Sequence, residues 1–198
     1  MKVRFASASL VLVLVAIWSV KTATQGKQAP PPPPKPAATK AGPSDADLIK
    51  SAMSAAPLAI SQGATIVTLN EKMEMRTLRK GTNGWTCLPD SPSPGPDPMC
   101  ADANGSEWLM AWMKHQAPPP DKMGLAYMLM GGSDASNEDP FATAPKAGGK
   151  WIDTGPHLMV FGIGTHFAGY PTTHDNTKVP YVMWPNTPFA HLMVPTTK

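Results

Sequence analysis

The sequence predicts an α+β domain with a mainly antiparallel sheet of about five to seven strands and two principal helices. Three observations lead there. Short apolar segments with β-branched and aromatic residues recur from residue 65 to the C-terminus. Two segments, near 45–56 and 106–116, carry helix start and stop signals. The links between the segments are short and rich in Gly, Pro, Asn and Asp, which favours hairpins over crossovers.

The first helix is expected in "PSDADLIKSAMSAAPLA", with Ser44 as N-cap, Asp47 in capping-box position and Pro57 as the stop. "ATIVTL" reads as a strand, and "EMRTLRKGTNGWTCLP" as a hairpin turning at Asn83-Gly84. The loop "DSPSPGPDP" follows. "GSEWLMAWMKHQAPPP" is expected to be the second helix, capped by Ser106, with Lys114 and His115 in its last turn. Beyond it come the strand "GLAYMLM", the polar loop "GGSDASNEDP", the strand "HLMVFGI" and a Gly- and His-containing loop. The chain ends with "VPYVMW" and "FAHLMVP" around "PNTP", a turn expected to pair Trp184 with Phe189 and Val182 with His191. Strands from 125 onward are apolar on both faces, as in a sheet covered on both sides.

Ahead of this domain (residues 44–198) lie two segments of other composition. Residues 1–24 have the basic start "MKVR" and an apolar run of 16 residues, the layout of a signal peptide or signal anchor. Residues 25–43 form a Pro-rich spacer that cannot be helical and favours an extended path. The expected location is therefore exported: periplasmic or extracellular, touching a membrane only through an uncleaved N-terminal segment. In such a chain the only cysteines, Cys87 and Cys100, are expected to form a disulfide.

Charge narrows the function. Six of the 17 Lys and Arg fall in residues 1–40, which hold no acid. From Asp45 onward 11 basic residues face 14 acidic ones, so the domain lacks the basic footprint that nucleic acid requires.

Three groups of residues could carry chemistry. "HLMV" occurs twice, at 157–160 and 191–194, and each copy places a His two residues before a Met on one strand face. If the copies are neighbours in one sheet, His157, Met159, His191 and Met193 offer imidazole and thioether, a soft ligand set that suits copper as Cu(I). The simpler reading of the same residues is a Met-rich core holding two buried, hydrogen-bonded histidines and no cofactor. The second group, Ser133, Asp134, Ser136, Asn137, Glu138 and Asp139, crowds polar groups into one loop. It could hold a small polar ligand or Ca²⁺, or form a structural turn that satisfies its own backbone. A hydrolase could use Ser133 as nucleophile, with Asp134 beside it and His157 or His191 as base, although no G-x-S-x-G elbow is present. The third group is His166, His174 and Asp175, whose spacing matches no established zinc pattern.

The stretches "LRKGTNGWTCLPD", "DPMC", "AYMLMGGSDASNEDPFA" and "TGPHLMV" resemble a family of uncharacterised exported bacterial proteins, over roughly residues 50–198. The resemblance implies a bacterial envelope location and brings no activity or ligand. The function expected from all of this is an envelope binding or interaction domain, with a small polar ligand, a soft metal or an envelope partner. The envelope hydrolase is the alternative.

Overall fold

A computed structural model describes residues 42–163 and 166–197. The signal and spacer segments expected over 1–24 and 25–43 lie outside the described residues, apart from Gly42 and Pro43. Among the described residues no helix is long and apolar enough to cross a membrane.

The α+β class is observed, with a larger sheet than expected. Among the described residues three helices, α1 (Asp45–Met53), α2 (Leu58–Ser61) and α3 (Ala103–Met113), accompany ten strands. In chain order the strands are β1 (Thr65–Leu69), β2 (Met75–Arg79), β3 (Thr86–Leu88), β4 (Met99–Ala101) and β5 (Gly124–Met128), then β6 (Ser133–Asp134), β7 (Ile152–Asp153), β8 (His157–Phe161), β9 (Tyr181–Met183) and β10 (His191–Pro195). Eight of them form one sheet in the order β2-β1-β3-β4-β5-β8-β10-β9, and β6 pairs with β7 apart from it. The eighth strand of this sheet is β4, three residues long and too short to show periodicity, and the two-residue β6 and β7 lie in stretches read as loop. The helix count rises from two to three because Pro57, the expected stop of the first helix, is also the N-cap of the four-residue α2.

The expected Asn83-Gly84 hairpin does not form. Gly84 does take a left-handed backbone, at φ 78°, but β2 and β3 are not neighbours. β1 lies between them, antiparallel to β2 and parallel to β3. The hairpin closes one link earlier, where the Asn70 side chain accepts from the Lys72 and Glu74 amides at 2.9 Å each. Asn83 instead donates to the Ile60 carbonyl at 2.8 Å, tying the turn to α2.

α1 begins as the sequence requires. Ser44 accepts from the Asp47 amide at 3.2 Å while the Asp47 carboxylate takes the Ser44 amide, completing the capping box. α3 begins three residues before the expected cap. Asp102 is its N-cap and accepts from the Gly105 amide at 2.7 Å, which leaves Ser106 inside the first turn with its hydroxyl buried and unpartnered. At the other end His115 has φ 53° and its ring stacks on Phe141, centroids 3.9 Å apart.

Each face of the sheet has its own helix. On one face α1 and α2 cover Ile66, Cys87 and Cys100. There Cys87 stands directly opposite Cys100 on β3 and β4, and the expected disulfide joins them. On the other face α3 covers Ala101, Ala126, Met159, Phe161 and Met193. Gly105 and Gly124 make that approach possible: a Cβ on Gly105 meets the Leu125 carbonyl oxygen at 2.7 Å, so the helix backbone lies almost on the strand. Coverage is unequal: β9 and the first three residues of β10 are buried on both faces, as expected beyond residue 125, but β5 and β8 are not. In β5 and β8 every second residue is buried and the alternate ones, such as Leu125, Tyr127, Leu158 and Val160, are half-buried.

Candidate functional site

The two "HLMV" strands are neighbours, as expected. β8 and β10 run antiparallel with Met159 directly opposite Met193. The register therefore sets His157 opposite Pro195 and, one step past the last paired residues, His191 opposite Phe161. Both histidines point to the α3 face, at opposite ends of the Met pair. β9 joins with a register one residue away from the expected one: His191 faces Met183, and Met193 faces Tyr181. The shift follows from Trp184, whose φ of 54° ends the strand early. The connection then turns on Thr187, whose hydroxyl donates to the Trp184 carbonyl at 2.8 Å and accepts from the Phe189 amide at 3.1 Å.

The histidines are prepared in the same way. Each is only 1% exposed. His157 places Nδ1 2.7 Å from the Gly155 carbonyl oxygen, and His191 places Nδ1 2.9 Å from that of Phe189. A carbonyl can only accept, so both Nδ1 atoms carry the proton and both Nε2 atoms present a lone pair. Among the described residues neither Nε2 has a partner. Burial pushes each imidazole pKa down to about 4 against the opposing effect of its carbonyl partner, so both rings are neutral at pH 7.

Beside these residues lies a cleft of about 740 Å³, bounded by the sheet, α3 and the loop after β5. Its floor holds His157, His191, Met159 and Met193, and Trp108 and Trp184 are among its walls. The Trp108 ring stacks on Phe161 at 4.3 Å and meets the His191 ring edge-to-face at 5.4 Å, while Trp184 meets His191 at 5.0 Å. The Tyr181 hydroxyl, two strands from β8, is also buried without a partner. Buried polar atoms without a partner are uncommon in folded proteins, and Ser61, Ser106 and Thr196 carry others away from the cleft.

The polar loop borders this cleft. Ser133 and Asp134 line it. Burial raises the Asp134 carboxyl to about pH 6, although the Ser136 amide, 2.9 Å from Oδ1, favours the charged form. The other candidates mostly serve the loop itself. Ser136 Oγ accepts from the Glu138 and Asp139 amides, and Asp139 Oδ1 accepts from the Phe141 amide at 2.9 Å. Asn137 donates to the Thr172 carbonyl at 2.9 Å, and the Trp184 indole donates to the Ser136 carbonyl at 2.9 Å, which fastens the loop to β9. Ser133 Oγ donates to the Pro94 carbonyl, and neither histidine accepts from it. His166 and His174 are exposed, and Asp175 accepts from Thr173 at 2.7 Å. Among the described residues no three His, Cys, Asp or Glu side chains converge as a metal site.

Sequence reasoning missed Met128, Met183 and Tyr181, which reach this face from β5 and β9. Strand order reveals Met128, which had no local signal beyond its place in an apolar strand, and the one-residue register shift of β9 against β10 reveals Met183 and Tyr181. No family model matches the chain, and neither a curated protein nor a solved structure matches it.

Proposed function

We propose that this chain is an exported binding domain, whose ligand enters the cleft under α3 and is held at the Nε2 atoms of His157 and His191. The observation that carries the reading is the pair of buried, neutral imidazoles, each with its proton fixed on the backbone side and its lone pair unused. A ligand that suits them brings hydrogen-bond donors or a metal ion to the floor and apolar surface to the Trp and Met walls. Asp134, which lines the cleft, adds one acceptor. Binding is favoured over hydrolysis because the Ser133 hydroxyl is engaged by Pro94 and no base accepts its proton. Residues 1–24 export the chain, and the spacer 25–43 sets the domain in the envelope. The buried Cys87–Cys100 bridge supports that location, since such bonds persist in oxidising compartments.

A thermal-shift panel tests the reading, with phenol, indole and Ag(I) as probes of donor, aromatic and soft-metal binding. A ligand of the native state raises the melting temperature according to its occupancy. At least one probe is expected to stabilise the native protein and to lose that effect in the His157→Gln, His191→Gln double variant. No stabilisation by any probe, or equal stabilisation of the double variant, contradicts the reading.

A further inference from the structure

The register around the two histidines resolves the cleft floor into two similar halves. On β8, His157 and Met159 share a face, and Met128 on β5 stands directly opposite His157. On β10, His191 and Met193 share that face, and Met183 on β9 stands directly opposite His191. Each His thus has one Met two residues along its own strand and another across the ladder on the outer neighbour. Residues directly opposite on one face have Cβ atoms about 5 Å apart, within easy reach of a flexible thioether. A local two-fold axis between Met159 and Met193 relates the two sets. All six side chains line the same cleft.

We propose that the floor carries two soft-metal sites, one formed by His157, Met128 and Met159 and the other by His191, Met183 and Met193, each taking one monovalent ion of the Cu(I) class. This rests on the reading of the cleft as a binding site and names the ligand. Each histidine is given its own ion because their backbone positions stand four residues apart along the ladder, roughly 13 Å at about 3.3 Å per residue. Each set has one imidazole nitrogen and two thioethers, soft donors without charge, which disfavour Ca²⁺ and Mg²⁺. With no anionic donor in either set, a buried divalent ion carries a larger uncompensated desolvation cost than a monovalent one. The Nδ1–carbonyl bonds hold each ring in the tautomer that a metal on Nε2 requires, the usual arrangement behind a ligating histidine.

Anaerobic Cu(I) titration of the disulfide-intact protein against a colorimetric Cu(I) chelator tests the proposal. Saturation is expected at two equivalents. Met128→Leu and Met183→Leu keep side-chain volume nearly constant and remove only the sulfur. Each is expected to remove one equivalent, and the double variant both. X-ray absorption of the loaded protein is expected to show one nitrogen and two sulfur neighbours per copper. Saturation at a single equivalent that either His157→Gln or His191→Gln abolishes identifies one shared site and overturns the proposal. Two equivalents that survive both Met→Leu changes overturn it as well. Absence of Cu(I) uptake, with phenol or indole still stabilising the protein through the histidines, overturns the proposal and leaves the binding reading standing. Absence of any response removes both.

Discussion

At the scale of single residues, burial decides which protonation state each group can hold. The His157 and His191 pKa values fall from 6.5 to about 4 in the fold, so between these limits the unfolded chain binds more protons than the native one. Stability then falls as pH is lowered through that window, by roughly 3 kcal/mol for each ring at about 1.4 kcal/mol per pKa unit. Asp134 acts in the opposite sense. Its carboxyl is raised to about 6, so the native state binds more protons between about 6 and 3.8, and the cost of its charge is fully present above pH 6. Two predictions follow from these signs. Melting temperatures of the metal-free domain are expected to fall between pH 6.5 and 4, and less steeply in the His157→Gln, His191→Gln double variant. Asp134→Asn is expected to raise the melting temperature at pH 8 and to change it little at pH 4. A double His variant that loses stability over that window as steeply as the native protein contradicts the neutral, buried histidines.

At the scale of elements, the caps and the bridge separate what short sequence signals specify from what they do not. The capping box at Ser44 and Asp47 is local, and it was legible. The cap of α3 was misread because Ser106 and Asp102 are both good N-cap residues, and the choice depends on where Gly105 meets Gly124 across the sheet. Asp102→Ala is accordingly expected to cost about 1 kcal/mol of stability. Ser106→Ala is expected to be neutral or stabilising, because it removes a buried hydroxyl that has no partner. Chemical denaturation of the two variants distinguishes the assignments, and the reverse order would restore Ser106 as the cap. The Cys87–Cys100 bridge closes a loop with a sequence separation of 13 residues. Reduction is expected to cost about 3 kcal/mol through the entropy of the unfolded chain, readable as a lower denaturation midpoint.

At the scale of the whole molecule, the α+β class and the pairing of the two "HLMV" strands could be read from the chain, because apolar segments with alternating burial need a common core. Strand order could not. Asn83-Gly84 gives the left-handed turn its chemistry demands, yet the strand that separates its two arms is β1, an insertion that no local pattern records. The same limit hid Met128, whose place beside His157 depends on β5 being the outer neighbour of β8. Met183 was hidden by register: the expected β9–β10 hairpin forms, but one residue out of step, so that Met183 and not Val182 faces His191. The polar loop shows the converse: its residues were legible as a cluster, but only the fold assigns Ser136 and Asp139 to their own backbone and turns Asp134 toward the cleft.

The central claim, that His157 and His191 hold their Nε2 lone pairs ready for a ligand, is tested most directly by side-chain ¹⁵N spectra of the imidazoles. At pH 7 both rings are expected to be neutral, with the proton on Nδ1 and a bare Nε2. Both Nε2 resonances are expected to move when Ag(I) is added, while the Nδ1–H signals persist. Protonated Nε2 atoms, or Nε2 resonances unmoved by Ag(I), phenol and indole alike, would contradict it.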